Sequence, residues 1–297
     1  MSAVDKKALR HEMYRKKLPR SYIVVFFVLV FLFTTISYVL LGFYVEHWYT
    51  GPARTVARVV PLPAVIVQND IVWYSEVSEF ANVFSLAKDE AEFEIDDPFG
   101  SALKRTVSNT HLAHFAQTLD VEVTRSELLA YEIDEPDLEA FLKEIGWNEM
   151  QYRRFIVAPL LLAQKTEDVV FHDVAYQSVS LEKMHNVEQD LALGISFDDL
   201  AIQYSEDVSG PSGGYLGFYT LDQMPEGLEE VFDADVGVPS GVLETNGSFV
   251  IARVHDEFLA GGEREQVSLQ IISVKKTGLA TALEAYAETQ RVIYMVR

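Results

Sequence analysis

The chain contains no cysteine, which excludes disulfide staples and thiolate chemistry and is compatible with an oxidising compartment. It is also short of cations. Lys and Arg total 24 against 45 Asp and Glu, a net charge of −21 at pH 7. Seven of those cations (Lys6, Lys7, Arg10, Arg15, Lys16, Lys17 and Arg20) fall in residues 1–20, which therefore hold +5 and leave −26 on the remaining 277 residues. A body this acidic argues against nucleic-acid binding, which needs a basic surface to neutralise phosphates. It suits a soluble, non-adhesive surface that handles other chains.

Charge is missing altogether from Ser21 to Val45. A helix of about 23 residues rises roughly 35 Å, enough for a hydrocarbon core of about 30 Å. A cleaved signal peptide has an apolar run of only about 7–15 residues and a small-residue cleavage site, so the sequence predicts an uncleaved anchor. Because the basic cluster precedes it, the N-terminus is expected in the cytoplasm and the main body outside, with Tyr44, Trp48 and Tyr49 at the far interface.

The expected organisation is a basic tail (1–20), a transmembrane helix (21–45), a proline-containing linker (46–62), a mainly helical domain (63–167), a sheet domain (168–257) and a strand-helix-strand tail (258–297). Ala64–Val67 and Ile71–Tyr74 read as a hairpin around Asn69-Asp70. Leu103, Val107, Leu112, Phe115 and Leu119 form a helical stripe. Thr124-x-x-Glu127 is a capping box, Pro136 sits early in a further helix ending near Gly146, and Asn148-x-x-Gln151 opens another that runs to about Lys165 with a kink at Pro159. Val169–Val179 is expected as a strand and Gly247–Val254 as the strand that closes the domain. Glu257–Glu265 is polar and glycine-containing, and Val267–Val274 alternates. The apolar ending Val292–Val296 is expected to fold back on the N-terminal helical region.

Between Tyr204 and Thr245 a set of features falls in fixed order. These are the acidic turn Tyr204-Ser205-Glu206-Asp207, the loop Gly213-Gly214-Tyr215-Leu216-Gly217-Phe218, the helically spaced Met224, Leu228 and Phe232, and Gly241-Val242-Leu243-Glu244-Thr245. Four-residue spacing puts the three apolar side chains on one helical face, where packing into a core is the ordinary use. As an ordered set these features resemble the parvulin (PpiC, rotamase) family of peptidyl-prolyl cis-trans isomerases over roughly residues 168–257. The hairpin followed by helices is similar, more loosely, to the N-terminal chaperone region of SurA- and PrsA-type foldases, and a generic helical domain is the alternative. The resemblance implies an α+β fold that joins a helical chaperone-like domain to an antiparallel sheet domain flanked by helices.

It also implies chemistry. Rotation about an X–Pro bond faces a barrier of about 18–20 kcal/mol and needs no nucleophile or cofactor. An apolar pocket can hold the ring while donors grip the adjacent peptide. Carried over from the family, Met224, Leu228 and Phe232 form the pocket, Asp207 lies near the carbonyl, and Thr245 joins the polar network. The family carries two histidines on neighbouring strands. Gln177 aligns with the first, as a residue still able to donate and accept, and Phe249 with the second, as one that only packs. Expected partners are unfolded or proline-containing polypeptides, with no metal and no cofactor. The alternative is a parvulin fold that holds peptides with weak or no turnover.

Three other patterns carry less weight. Gly210-Pro211-Ser212-Gly213-Gly214 satisfies G-x-S-x-G but lacks the preceding buried strand of a nucleophile elbow. His111 and His114 have metal-ligand spacing without a third ligand in view and read as surface or half-buried residues. The acidic run Lys88–Asp97 lacks calcium-loop spacing and reads as a solvated face.

Overall fold

A computed structural model describes residues 20–89, 95–134 and 137–296. The basic tail up to residue 19, the centre of the acidic run (90–94) and Pro136 lie outside the described residues. The chain divides into two compact units, residues 1–110 with 291–297 and residues 111–290.

The first unit opens with α1 (Arg20–Tyr44), whose Val24–Tyr44 stretch is long and apolar enough to cross a membrane. Most of its described side chains are exposed, Val39 is half-buried, and Gly42 and Phe43 are buried. A short loop leads to α2 (Gly51–Val59), an amphipathic helix started by Pro52, so part of the expected linker is helical. Both of its arginines, Arg54 and Arg58, bond the buried carboxylate of Glu79 on α3 (Tyr74–Asp89). Between them, β1 (Pro63–Val67) and β2 (Asp70–Trp73) form the expected hairpin. The residue that takes up the left-handed conformation is Gln68 (φ 55°), one position before Asn69. A third strand, Val292–Tyr294, pairs antiparallel with β1, which is where the apolar C-terminal segment goes. Val65, Val67, Val72, Val77, Phe80 and Phe99 supply the buried interior.

The second unit begins inside α4 (Pro98–Thr118). Both capping boxes are formed. Thr124 and Glu127 start α5 (Arg125–Ala130) with reciprocal bonds of 3.2 and 2.7 Å, and Asn148 and Gln151 do the same for the turn Glu149–Tyr152 at 2.9 Å each. Between these, α6 (Leu138–Ile145) ends on left-handed Gly146. The short helix Glu149–Tyr152, α7, then runs through a π-helical turn (Arg153–Val157) into α8 (Ala158–His172). That wide turn places Pro159 in the first turn of α8, where its missing N–H leaves no bond unmade.

Val169–Val179 is no strand. Residues up to His172 complete α8, Asp173 caps the next helix by accepting from the Ala175 amide at 2.9 Å, and α9 runs Val174–Ala192. The mixture of β-branched and polar residues there tolerates either state, and the cap together with tertiary packing decides for helix. After α10 (Phe197–Tyr204), the sheet is built from β3 (Tyr215–Tyr219), β4 (Leu243–Glu244), β5 (Ser248–Ala260) and β6 (Glu263–Lys275), ordered β3-β6-β5-β4 and antiparallel throughout. β5 therefore runs six residues past Val254, and the polar stretch after Asp256 is the tip of a 13-residue-a-side hairpin. Gly261 (φ 64°) and Gly262 (φ 91°) make its two-residue turn, which demands positive φ at both positions. β6, expected within a tail, occupies the middle of the sheet.

Strand alternation gives the sheet two apolar faces. On one, Phe249, Ile251, Ile272 and Val274 pack against Met184, Val187, Phe197, Leu200 and Ala201 of α9 and α10. On the other, Val250, Ala252, Val254, Val267, Leu269 and Ile271 are covered by the irregular segment that holds Met224 and Phe232. Finally α11 (Leu279–Glu288) packs Ala282, Leu283 and Tyr286 with Phe115 of α4 and Val170 of α8. The C-terminal strand Val292–Tyr294 is β7.

Candidate functional site

The acidic turn follows directly from the end of α10. β3 pairs with β6 only between Tyr215↔Gln270 and Tyr219↔Val267, which leaves the edge of β6 open beyond Ile271. Ser205, Glu206 and Gly214 close it. Ser205 Oγ accepts from the Ser273 amide (3.0 Å), the Glu206 amide donates to the Ser273 carbonyl (2.7 Å), and the Gly214 carbonyl accepts from the Ile271 amide (2.9 Å). Gly214 has φ 79°, and any Cβ there would run into the Ile271 carbonyl; only glycine lets the loop approach so closely.

Charges converge on this turn. The Glu206 carboxylate accepts from Lys183 Nζ (2.7 Å) and from the Lys275 amide (2.9 Å). Burial acts to raise its pKa, but those two bonds and the lysine charges outweigh it, and the net shift is downward. Asp207 accepts from the Ser209 amide at 2.7 Å. It is likewise pulled down, with burial opposed by bonds from Ser209 and Val208 and by the charge of Lys275. It stays an acceptor-only carboxylate at neutral pH.

The three apolar residues come together, though not on the α-helix that their spacing predicts. Met224 follows the 3-10 turn Leu221–Gln223, and Leu228 caps the 3-10 helix Glu229–Asp233 that carries Phe232. Their exposures are 8, 3 and 6%, and all three pack with Val250, Ala252 and Ile271 on the sheet. This is a filled core.

The remaining predicted residues lie elsewhere. Gln177 sits on α9, 2% exposed, with its amide fully used: Nε2 donates to the carbonyls of Val170 (2.9 Å) and Thr277 (3.0 Å), and Oε1 accepts from the Thr277 amide (2.8 Å). It ties α8, α9 and the exit of β6 together. Phe249 is buried on the sheet face opposite Met224, beneath Lys276 Nζ at 5.5 Å. Thr245 makes the β4–β5 turn, its amide and hydroxyl both donating to the Ser248 carbonyl at 2.9 Å. It lines a cavity of about 640 Å³ with Phe171, His172, Glu226, Glu244, Asn246 and Lys276. Lys276 is buried there, paired with Glu244 at 2.5 Å.

One polar group escaped the sequence reading. Beneath the glycine loop, Asp198 Oδ1 accepts from Arg253 (3.0 Å) and from Gln270 Nε2 (2.9 Å), Arg253 Nε donates to Gln270 Oε1 (2.8 Å), and Gln270 also reaches the Gly213 carbonyl at 3.2 Å. The Arg253 guanidinium lies 4.5 Å from the Phe197 ring centre. Cross-strand pairing of Arg253 with Gln270 is the signal that could have found it, once β6 is known to neighbour β5. Ser212 of the G-x-S-x-G pattern lies exposed in the 3-10 turn Gly210–Ser212 with no strand before it. His111 is buried rather than on the surface, and burial first, then His114, lowers its pKa.

A small antiparallel sheet, helices on one face, a glycine-hinged loop and an apolar segment on the other define a prolyl-isomerase-like α+β domain. The comparison with protein families agrees: residues 162–258 match the family described as a PPIC-type PPIASE domain. The chain thus carries a parvulin-type domain over that span. The match begins within α8 and stops within β5, so the central strand β6 lies beyond it. No curated protein matches the chain.

Proposed function

We propose that this chain is a single-pass, membrane-anchored foldase, with its N-terminus in the cytoplasm and its main body outside, that engages unfolded, proline-containing polypeptides through its PPIC-type domain. The observation that carries the reading is the family match on a sheet whose outer face is closed by Met224, Leu228 and Phe232. The charge-free stretch 21–45 behind seven cations supports the anchor and its orientation. The helical region 63–167 is read as the chaperone-like part.

For the chemistry, the geometry favours holding over rapid turnover. Isomerisation needs a pocket for the ring and donors at the twisted amide. Here the pocket residues are largely consumed by the core, Gln177 spends all its bonds on backbone, and Phe249 faces the helices. A second reading, a competent peptidyl-prolyl isomerase, is favoured by Asp207, whose carboxylate is held charged beside the glycine loop. The foldase reading is tested with the full chain in lipid nanodiscs and an unfolded, proline-rich client. Aggregation should slow at stoichiometric chain, and less so for a client with its prolines changed to alanine. Light scattering unchanged at tenfold excess refutes it.

A further inference from the structure

The first unit holds a second cavity, remote in kind from the peptide site. It measures about 630 Å³, within the range of about 300–1,000 Å³ usual for small-ligand sites. Its walls come from Val39 and Phe43 in the last turns of α1, and from Ala53 and Val56 on α2, with His47 and Trp48 from the loop between. That loop folds back over the helix end. The Trp48 amide donates to the Gly42 carbonyl at 3.0 Å, and the indole lies so close to Gly42 that a Cβ there would strike the ring. The indole N–H is occupied by Glu46 at 2.8 Å.

Two features point to an occupant. One is polar: His47, held at φ 52° and stacked on Phe99 at 4.3 Å, has a buried Nε2 with no partner among the described residues. Such a group costs free energy unless a ligand or solvent satisfies it. The other is position. Val39 belongs to the stretch long and apolar enough to span a membrane, so the cavity wall begins in hydrocarbon and ends at the interface. The apolar surface continues outward along α2 through exposed Val56, Val59 and Val60, while Arg54 and Arg58 turn inward to Glu79.

We propose that this cavity binds one glycerophospholipid of the outer leaflet, with an acyl chain between α1 and α2 and its glycerol ester end beside His47. The proposal rests on the reading of α1 as a membrane span. The test uses the full chain in vesicles of phosphatidylcholine and phosphatidylglycerol, doped with a phosphatidylcholine bearing a diazirine on one acyl chain. Adducts are mapped by mass spectrometry. Expected are adducts in residues 47–56 as well as 24–44, with those in 47–56 lost at least tenfold in Ala53→Trp, which fills the cavity, and retained in Val59→Trp, on the same helix outside it. Adducts confined to 24–44, or unchanged by Ala53→Trp, overturn the site and leave the span. Absence of adducts from 24–44 overturns the span and the site with it. Native mass spectrometry of the unaltered chain in mild detergent is the second measurement, and finding no retained lipid contradicts the proposal whether or not the variant folds.

Discussion

Replacing Gln177 by leucine separates a structural role from a catalytic one. The exchange keeps volume roughly constant and removes the bonds to Val170, Thr277 O and Thr277 N. These groups are buried, with Gln177 only 2% exposed, so water cannot replace what is lost. A net hydrogen bond is worth about 1 kcal/mol, and a stranded buried donor or acceptor costs about 1–3 kcal/mol. The sum for three such bonds is about 3–4 kcal/mol. A domain of about 150–250 residues loses roughly 2–4 °C in Tm per kcal/mol, giving a drop of about 6–16 °C. Gln177→Glu retains the acceptor for the Thr277 amide but turns a carboxylate toward two carbonyls, so it should cost at least as much at neutral pH. The assay is thermal unfolding of the full chain by circular dichroism, with hydrogen exchange at the Thr277 amide as the local readout. A Tm within 1–2 °C of the parent, with slowed X–Pro isomerisation, refutes the structural assignment.

Four other outcomes follow from the same packing. Met224→Ala should destabilise by about 2–4 kcal/mol, as a buried methionine does, and a loss under about 1 kcal/mol in denaturant titration indicates an open pocket instead. Glu79→Ala removes the carboxylate shared by Arg54 and Arg58 and should cost about 3 kcal/mol, read from the same titration. Glu206 and Asp207 have folded pKa values below their ordinary ones, so their contribution is present above the unfolded values near 4 and is lost as pH falls through the lower folded ones. Tm should fall below about pH 4.5, less steeply in Glu206→Gln, and parallel pH profiles for the two proteins contradict this. Lys276→Met exchanges a buried cation for an apolar chain between Phe171 and Phe249 and frees the half-exposed Glu244 to water, so stability should stay within about 1 kcal/mol, and a loss above about 3 kcal/mol by chemical denaturation contradicts that.

Local signals in the sequence translated well. Thr124 with Glu127, Asn148 with Gln151, the 64–74 hairpin and the Gly213-Gly214 loop each depend on neighbours within a few residues, and each is formed. Failures came where distant partners decide. Val169–Val179 carries enough β-branched residues to read as a strand, yet Asp173 caps a helix there and β6, about 100 positions later, supplies the strand that pairs with β5. Glu257–Glu265 reads only as a polar, glycine-containing stretch, yet Gly261-Gly262 turns a hairpin there, and polar flanks are what a tip exposed to solvent should have. Met224, Leu228 and Phe232 do meet on one sheet face, brought there by two 3-10 turns rather than by the α-helix that their four-residue spacing implies. Phe249 packs on the opposite face from these three, since face depends on register and a single-residue offset sends a side chain to the other side of a sheet.

The claim on which the rest depends is that this parvulin-type domain binds proline-containing chains while converting X–Pro bonds only weakly. Exchange NMR on a short X–Pro peptide, with the full chain in nanodiscs at stoichiometric amounts, tests it most directly. The account predicts peptide resonances that shift and broaden on addition, with cis–trans cross-peaks close to the uncatalysed rate, which takes tens of seconds. Strong exchange cross-peaks at sub-stoichiometric chain contradict it.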